Sequence, residues 1–430
     1  MKGHRVSSGY ILVEKSQPLV GEVKLSGAKN AVLVIMASLL LTRGKSVLRN
    51  VPAIADVYDM IKILQSLGAQ VQFDATANIA EIDTTYLHYE SLDQQAVKKF
   101  RASLLIFGPL LAQFKDVKIA MPGGDAIGAR PVDYHIKNFK KLGAHVFQDQ
   151  DFLYGVANFL QSQRLILDYP SVGATENLLM ALVLTQGESW IVNAALEPEV
   201  LDLIAVLQQM GADVEVMPPA MIRIRGVKHL KSIDHTVIFD RLEAASILIA
   251  GAITKGDIFI PDAQVFNLEL FLMKLSEMGH EIIVGKNGQG VHFKSCQNPQ
   301  AVSFKTGPFP GFPTDMQALM MAAQTVATGS CSVVETVFEN RFLHVPEMNK
   351  MGANIQATGH FASMQGVSCQ LYGADVKATD IRAACALALL GLAAQGQTRV
   401  LDGVHHWKRG YETLDEKLRS LGAKIELCSF

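Results

Sequence analysis

One short phrase, a leucine or methionine followed by glycine, recurs six times along this chain. Each glycine follows a stretch with the apolar spacing of a helix and precedes alternating residues typical of a strand. Glycine often closes a helix because it tolerates left-handed backbone angles. The spacing of about 70 residues is too long for a solenoid and predicts six units of helix, glycine and strand. The phrases are LQSLGAQV, FKKLGAHV, LQQMGADV, LSEMGHEI, MNKMGANI and LRSLGAKI, with Gly68, Gly143, Gly211, Gly279, Gly352 and Gly422.

A second and more apolar helix is predicted upstream in the repeat. Examples are AVLVIMASLLL, NLLMALVLT, ASILIAGAI, ALMMAAQTV and ACALALLGLAA. Because these helices are apolar on nearly every face, other elements must wrap around them. At 430 residues the chain also exceeds what one hydrophobic core usually supports. We therefore expect an α/β protein of two domains, each with three repeated units around buried helices.

The composition excludes several classes of protein. A formal net charge of -2 gives no general attraction to nucleic acid or anionic membranes. The longest apolar runs fall short of the roughly 18 residues of a transmembrane helix, and residues 1–18 lack the apolar core of an export signal. The five cysteines form no CxxC pair and no metal-ligand spacing with histidine. We expect a cytoplasmic protein with reduced cysteines, no metal, no nucleic-acid partner and no membrane insertion.

Polar residues stand at the starts of the predicted helices. The segments are SGAKN (26–30), RAS (101–103), SVGAT (171–175), DR (240–241), TD (314–315) and TDIR (379–382), while Arg130, Arg341 and Arg409 precede the second helices. Ordinary N-caps account for the hydroxyl and carboxylate residues taken singly, namely Ser171, Asp240, Thr314 and Thr379.

Basic residues at these starts are harder to explain, because a positive charge in a first helical turn is electrostatically disfavoured. A surface salt bridge explains any one of them. The set favours binding of an anion, which free N–H groups at helix N-termini also bind. With carboxylates nearby, the pattern suits a phosphate- and carboxylate-bearing substrate that undergoes proton transfers. The basic residues are Lys29, Arg101, Arg130, Arg382 and Arg409, and the carboxylates are Asp125, Asp315 and Asp380.

The loop MPGGDAIGARP places three glycines around Asp125, just before Arg130. A simple turn is the first interpretation, because Gly-Gly-Asp is common turn chemistry. A mobile lid is the alternative, since the glycines loosen the backbone.

The chain resembles the UDP-N-acetylglucosamine enolpyruvyl transferases along essentially its full length. The matching phrases are LSGAKNAV, FRASLLIFGPLLA, PGGDAIGARPVDYH, SVGATENLLMA, EPEVLDL, DRLEAA, PGFPTDMQA, ETVFENRF, TDIRAA and RGYE. The resemblance implies an inside-out α/β barrel of two domains with three repeated units each and an active site in the interdomain cleft. It implies a discontinuous division, with residues 29–238 in one domain and residues 1–28 plus 239–430 in the other.

The resemblance also implies a reaction. The 3′-hydroxyl of UDP-N-acetylglucosamine adds to C2 of phosphoenolpyruvate while C3 is protonated, and the ketal then expels phosphate. Lys29, Arg130 and Arg409 would bind phosphate, Arg341 and Arg382 the carboxylate, and Asn30 the sugar. Asp315 would accept the hydroxyl proton, Asp380 would handle the C3 proton, and Asp125 would be the acid.

The UDP-sugar-binding residues implied by the resemblance lie in two stretches and at three single positions. No cofactor is implied, and we expect a monomer or weak oligomer. The helix start at Ser171 and Gly173 suits the pyrophosphate independently of the resemblance. The implied residues are Arg101, Arg130, Pro131, Val132, Asp133, Tyr134, Tyr169, Pro170, Ser171, Val172, Gly173, Asp315 and Val337.

The chain departs from the family pattern at three positions. Asp125 stands where most members carry the loop cysteine that fosfomycin alkylates, Ala55 stands where many have lysine, and Lys408 replaces a frequent aspartate. Two rival functions stay open: an enolpyruvyl transferase acting on another acceptor such as shikimate 3-phosphate, or a non-catalytic UDP-sugar-binding regulator. GAKN and FRAS differ from the GSKS- and GNAGT-type phrases of the shikimate enzymes.

Overall fold

The computed structural model describes residues 9–89, 92–124, 127–128, 132–366 and 371–429. The strands are β1 (Gly9–Glu14), β2 (Val20–Glu22), β3 (Lys45–Arg49), β4 (Gln70–Asp74), β5 (Ile79–Asp83), β6 (Asp116–Ala120), β7 (His145–Asp149), β8 (Phe152–Val156), β9 (Arg164–Ile166), β10 (Glu188–Val192), β11 (Asp213–Met217), β12 (Met221–Arg225), β13 (Asp234–Thr236), β14 (Asp257–Gln264), β15 (Glu281–Val284), β16 (Gln289–Lys294), β17 (Phe304–Lys305), β18 (Ser330–Val334), β19 (Asn354–Thr358), β20 (Phe361–Gln365), β21 (Asp375–Lys377), β22 (Gln397–Leu401) and β23 (Lys424–Ser429).

The α-helices are α1 (Lys29–Ser38), α2 (Ala55–Ser66), α3 (Gln94–Val97), α4 (Phe107–Phe114), α5 (Asp133–Lys141), α6 (Val172–Leu182), α7 (Pro198–Gln209), α8 (Arg241–Thr254), α9 (Glu269–Glu277), α10 (Gln317–Thr325), α11 (Val345–Lys350), α12 (Ile381–Gly391), α13 (Gly403–Gly410) and α14 (Leu414–Ser420). Short 3-10 turns span Leu39–Leu41, Arg101–Ile106, Val265–Asn267, Lys286–Gly288 and Thr314–Met316. No helix of the described residues is both long and apolar enough to cross a membrane.

Two compact units divide the described residues. The first unit contains residues 9–26, 127–128, 239–366 and 371–429, and the second contains residues 27–89, 92–124 and 132–238. Each unit has its own hydrophobic core. Within the described ranges, the two cores share no buried residue.

The sheets repeat one pairing pattern. A short strand pairs in parallel with a longer one, which then begins an antiparallel run, as in β9, β10, β12 and β11. The first unit contains sheets β21-β22-β1-β23, β15-β16-β14-β2 and β17-β18-β20-β19. The second contains β13-β3-β5-β4, β11-β12-β10-β9 and the three-stranded β6-β8-β7. In β1, alternate side chains are buried, so one face of this sheet covers a core.

Apolar helices fill the inside of each unit. In the first unit α8, α10 and α12 pack against one another, and all of their residues are buried. In the second unit α4 packs on α6, and α1 is buried from Ala31 to its end at Ser38. Since sheets cover central helices in both units, the structure confirms the predicted inside-out α/β class.

All six predicted glycines close a helix in the same way. After α2, the Gly68 N–H donates to the Gln65 carbonyl at 3.0 Å and the Ala69 N–H to the Leu64 carbonyl at 3.1 Å. This paired bonding is the Schellman motif, which needs a positive φ at the glycine, and Gly68 has φ +89°. The same motif follows α5, α7, α9, α11 and α14 at Gly143, Gly211, Gly279, Gly352 and Gly422. The prediction of helix, glycine and strand is confirmed.

The helix starts agree only in part with the predicted caps. The Ser171 hydroxyl accepts from the Ala174 N–H, and Asp240 accepts from two N–H groups of α8, as predicted. Thr314 was a wrong prediction, because Pro313 occupies the cap position of that turn and makes no side-chain cap bond. Thr379 was also wrong, because the next residue, Asp380, is the side-chain cap of α12.

Arg409 does not precede a helix in the predicted way. It lies in the last turn of α13, and four residues separate it from Leu414, the first residue of α14. A positive charge is favoured at a helix C-terminus by the carbonyl dipoles. The electrostatic argument for an anion therefore fails at this residue, while it stands at Lys29 and Arg382, the first residue of α1 and the second of α12.

Candidate active-site residues

In the first unit, the carboxylate of Asp315 lies between two arginines. Asp315 belongs to the 3-10 turn before α10. Its Oδ1 accepts from Arg341 Nη2 at 2.7 Å, and its Oδ2 accepts from Arg382 Nη2 at 3.3 Å and Nε at 3.4 Å. Both arginines are buried, whereas the side chain of Asp315 is 31% exposed. Two desolvated guanidinium groups thus surround a carboxylate that solvent still reaches.

A buried glutamate that the sequence did not indicate supports this turn. Glu335 follows β18 and has no exposed surface. Its Oε2 accepts from the Thr314 hydroxyl at 2.9 Å, and its Oε1 accepts from the Val337 N–H at 2.8 Å. One carboxylate therefore fixes both the Asp315 turn and Val337, a predicted UDP-sugar residue. The signal was present in the phrase ETVFEN, where a carboxylate directly follows an apolar strand.

Asp380 is both a predicted proton-transfer residue and a helix cap. Its Oδ1 accepts from the backbone N–H groups of Arg382 and Ala383, at 2.9 and 3.1 Å. Its Oδ2 accepts from the Thr379 hydroxyl at 3.1 Å. The orientation of the carboxylate is therefore fixed, because one oxygen accepts hydrogen bonds from the helix backbone and the other accepts one from a neutral hydroxyl. The buried His344 interacts with Asp380 electrostatically, and burial lowers the pKa of this histidine to about 4.

Lys29 forms a buried ion pair within the second unit. Its Nζ lies 2.8 Å from Asp56 Oδ2, and both side chains are at least nine-tenths buried. Asp56 is the second residue of α2, directly after Ala55. The N-terminal dipole of α2 stabilises that carboxylate. Asn30, one residue beyond Lys29, is exposed.

Arg101 lies near a buried histidine of the second unit. Burial, followed by the charge of Arg101, lowers the pKa of His135 to about 3. The Asn177 side-chain amide donates to His135 Nδ1 at 3.3 Å, since an amide nitrogen can only donate. The neutral ring therefore carries its proton on Nε2, which faces the first turn of α6 at Gly173. The sequence contained His135 in the phrase PVDYH, but nothing in its spacing singled it out.

The remaining predicted UDP-sugar residues occupy two helix starts of the second unit. Val132 caps α5, which begins with Asp133 and Tyr134. Tyr169 and Pro170 lead into α6, where the Ser171 N–H donates to the Tyr169 carbonyl at 2.7 Å and Val172 and Gly173 form the first turn. The structure thus brings Arg101, His135 and the start of α6 close together, a basic and N–H-rich surface suited to an anion.

Three predicted residues, Asp125, Arg130 and Pro131, lie outside the described residues. Between them, the Ile127 carbonyl accepts from the Asn340 N–H at 3.1 Å. Gly128 has φ +152°, a backbone conformation that residues with a side chain rarely adopt, so this position favours glycine. The lid interpretation and the turn interpretation of the loop both stay predictions.

In the described ranges, no cluster of three histidine, cysteine or carboxylate side chains has an arrangement that could hold a metal ion. Within the first unit the structure brings two arginines to one carboxylate, and within the second it pairs a lysine with a carboxylate and places an arginine near a histidine. Such groups bind anions and transfer protons.

Comparisons with known proteins agree with this geometry. A family profile described as EPSP synthase (3-phosphoshikimate 1-carboxyvinyltransferase) matches residues 13–418. The chain is 46% identical to UDP-N-acetylglucosamine 1-carboxyvinyltransferase 1 of Caldanaerobacter subterraneus, covering 96% of this chain and 98% of that protein. It is 45% identical to UDP-N-acetylglucosamine 1-carboxyvinyltransferase 2 of Carboxydothermus hydrogenoformans, covering 97% and 99%. The chain belongs to the EPSP synthase family, and within it to the UDP-N-acetylglucosamine 1-carboxyvinyltransferases.

The fold of the family is also found in solved structures. The enolpyruvyl transferase NikO from Streptomyces tendae superposes with a TM-score of 0.89 over 99% of this chain and 100% of that one, at 24% identity. At this level of identity the comparison concerns the fold. The shared fold agrees with the fold that the sequence resemblance implied.

Proposed function

We propose that this chain transfers the enolpyruvyl group of phosphoenolpyruvate to the 3′-hydroxyl of UDP-N-acetylglucosamine and releases phosphate, the first committed step of peptidoglycan synthesis. The observation that carries the proposal is the similarity over nearly the whole chain to the two carboxyvinyltransferases named above. The geometry of Asp315 between Arg341 and Arg382 agrees with it. By its product, the enzyme would serve cell-wall growth, cell shape and cell division.

Asp315 is proposed as the base that accepts the proton of the 3′-hydroxyl as its oxygen attacks C2. Arg341 and Arg382 keep this carboxylate ionised and ready to accept that proton. A guanidinium group has five N–H donors, so each arginine can hold Asp315 and also donate to the substrate carboxylate. This shared use would align the carboxylate of phosphoenolpyruvate with the base.

The phosphate is assigned to Lys29, Arg130 and Arg409. Arg409 and Lys29 are both buried, and an ammonium group has three N–H donors, so Lys29 can keep its contact with Asp56 while it donates to a ligand. In the addition step, C3 gains a proton from Asp125 while the C2–O bond forms. In the elimination step C3 loses a proton, which Asp380 helps to remove, and the C2–O bond to phosphate breaks. The UDP group is assigned to Arg101 and to the starts of α5 and α6.

An assay of product formation tests this proposal. The protein is incubated with phosphoenolpyruvate and UDP-N-acetylglucosamine, and phosphate and the mass of the enolpyruvyl product are measured. A parallel reaction contains shikimate 3-phosphate, which the name of the family profile makes the natural alternative acceptor. Product from shikimate 3-phosphate alone would contradict the proposed acceptor. No product from either acceptor would favour a non-catalytic UDP-sugar-binding protein.

Lys29→Ala and Arg409→Ala are expected to lose about 100- to 1,000-fold in kcat, the typical cost of removing one group that stabilises developing charge. Controls are Lys377→Ala and Arg399→Ala, whose side chains are 67% and 52% exposed. Steady-state kinetics on folded protein measure the effect. Near wild-type turnover in either of the two buried-site variants would contradict the phosphate assignment.

Asp125 is proposed as the acid in place of the usual cysteine of the family. Its ordinary pKa of about 3.9 would leave it ionised at neutral pH, so substrate anions or desolvation must raise that pKa for it to donate. A carboxylate also lacks the soft nucleophilic thiolate that opens an epoxide. We expect the unmodified protein to resist fosfomycin and Asp125→Cys to gain a covalent mass shift with it. Irreversible inactivation of the unmodified protein would overturn this assignment.

The proposal includes cytoplasmic location and a monomeric or weakly oligomeric state. Sedimentation velocity over a range of protein concentrations measures the oligomeric state directly.

A further inference from the structure

A buried tyrosine contacts Arg382 on the side away from Asp315. Tyr411 directly follows α13 and is 4% exposed. Its hydroxyl accepts from Arg382 Nη1 at 3.0 Å, and the guanidinium carbon lies 5.4 Å from the centre of its ring. Trp407 packs against the same ring at 5.6 Å. Both the position and the angle of this phenol are thus fixed by packing.

The direction of each hydrogen bond around Tyr411 follows from its partners. Arginine can only donate, so the phenol oxygen accepts from Arg382. The Ser246 hydroxyl donates its one proton to the Leu242 carbonyl at 2.8 Å. The phenol proton therefore goes to Ser246 Oγ, 3.0 Å away. The bonds run in one direction, from Arg382 through Tyr411 and Ser246 to the backbone of α8.

A fully buried thiol completes this group. Cys385, one turn of α12 beyond Arg382, lies beside Tyr411 and Ser246, and burial raises the pKa of its thiol. Burial raises the pKa of Tyr411 well above its ordinary value, so the phenol stays neutral and its O–H can donate a hydrogen bond to Ser246. Burial alone would lower the pKa of Arg382, but Tyr411, Asp315 and Asp240 together outweigh burial and raise it.

The guanidinium of Arg382 is therefore held on two sides. Nε and Nη2 donate to Asp315, and Nη1 donates to Tyr411. Of the five N–H groups of an arginine, three are used, which leaves one on each terminal nitrogen for a ligand. Without Tyr411, the guanidinium would keep, of these hydrogen bonds, only the longer ones to Asp315, at 3.3 and 3.4 Å.

We propose that Tyr411, held by Ser246, is a positioning residue that aims the two remaining N–H groups of Arg382 at the carboxylate of the enolpyruvyl donor. The inference rests on the proposed function and deepens it, because it names the residues that orient one of its carboxylate ligands. Neither Tyr411 nor Ser246 touches the reacting atoms. Their effect passes through the geometry of Arg382.

The test is Tyr411→Phe, which removes one oxygen and keeps the ring. We expect kcat/KM for phosphoenolpyruvate to fall about tenfold or more, the size of one hydrogen bond to a charged group. The change should appear mainly in KM for phosphoenolpyruvate, with KM for UDP-N-acetylglucosamine unchanged. Tyr372→Phe is the matched control, since Tyr372 is 53% exposed in the same unit, and it should behave as wild type.

Ser246→Ala provides a second, independent variant. It removes the acceptor of the phenol proton and should raise KM for phosphoenolpyruvate in the same direction. The double variant should be no worse than Tyr411→Phe alone, because residues in one hydrogen-bonded chain are not additive. Additive losses, or equal changes in KM for both substrates, would indicate a merely structural role and overturn the inference.

Two failures are distinguishable. A wild-type protein that is active while Tyr411→Phe keeps its full kcat/KM for phosphoenolpyruvate contradicts this inference alone. A wild-type protein that makes no product from the two proposed substrates contradicts the proposed function and, with it, this inference.

Discussion

At the scale of single residues, a buried carboxyl in the first turn of α8 has an unusual pKa. Glu243 Oε1 lies 2.6 Å from Lys417 Nζ, and its Oε2 accepts from the Ser26 N–H at 2.7 Å. Burial nevertheless outweighs the attraction of Lys417, and the pKa of Glu243 rises to about 7. Asp240 adds repulsion in the same direction. The group therefore changes charge near neutral pH inside the protein.

This shift predicts a pH dependence of stability. The folded pKa exceeds the ordinary value of 4.5, so the folded state holds a proton that the unfolded state has lost between pH 4.5 and 7. The contribution is complete below pH 4.5 and falls by about 3 kcal/mol as pH rises through 7. Glu243→Gln should remove this fall, as measured by urea unfolding at several pH values, whereas Glu416→Gln, at an exposed position of α14, should keep it. Equal slopes in all three proteins would contradict the shift.

Residue patterns predicted local roles better than distant partners. The caps by Ser171 and Asp240 depend on neighbours two or three residues away, so a short phrase contains all the information. Thr314 failed as a cap because Pro313 takes that position, and the Thr314 hydroxyl donates instead to Glu335, 21 residues further on. The pairing of Asp315 with Arg341 and Arg382 joins residues that are 26 and 67 positions apart. Only the fold brings those together, and spacing along the chain could not.

At the scale of elements, the six helix-closing glycines differ in how closely other atoms approach them. A side-chain carbon at Gly68 would lie 2.4 Å from His88 Nδ1 and 2.6 Å from the Tyr86 carbonyl oxygen. At Gly211 it would meet nothing within 4 Å. Both residues have positive φ, +89° and +102°, and both lie in the second unit. The pair therefore separates backbone strain from collision.

Gly211→Ala should cost about 1–2 kcal/mol, the typical penalty for a side chain in left-handed backbone. Gly68→Ala should cost clearly more, because the carbonyl of Tyr86 belongs to the backbone and cannot rotate away. The free energy of unfolding of the two variants, measured side by side with denaturant, checks the ranking. Equal losses would mean that the loop at 86–88 yields without cost.

The repeated phrase predicted the closing glycines correctly because the Schellman motif is local and recurs unchanged. It could not predict which strands complete each sheet. Five of the sheets that the structure describes have four strands with the same pairing pattern, but the sheet β6-β8-β7 has only three strands. The sheet β21-β22-β1-β23 takes its third strand from residues 9–14, far from the others in sequence. These pairings depend on long-range contacts that a short phrase does not encode.

At the scale of the whole molecule, the proposed residues are contributed by both units. The second unit supplies Lys29 and Arg101, and the first supplies Asp315, Arg382 and Arg409. Lys29, Arg101, Asp315 and Arg382 lie at the starts of helices or 3-10 turns, whereas Arg409 lies in the last turn of α13. Two domains were expected from chain length and from the six repeats, and the resemblance already implied which domain contributes each ligand. The pairing of Lys29 with Asp56 and of Asp315 with two arginines needed the coordinates.

The placement of β1 between β22 and β23 has a consequence for synthesis on the ribosome. Tyr10 pairs with Leu401 and with Cys428, about 390 residues or more later in translation. At about 5–20 residues per second, the second unit emerges whole while β1 still lacks both neighbours. An unpaired strand edge invites association with other chains. The nascent protein therefore carries an exposed β1 until its last strand emerges, which makes the first unit the part that most needs a chaperone.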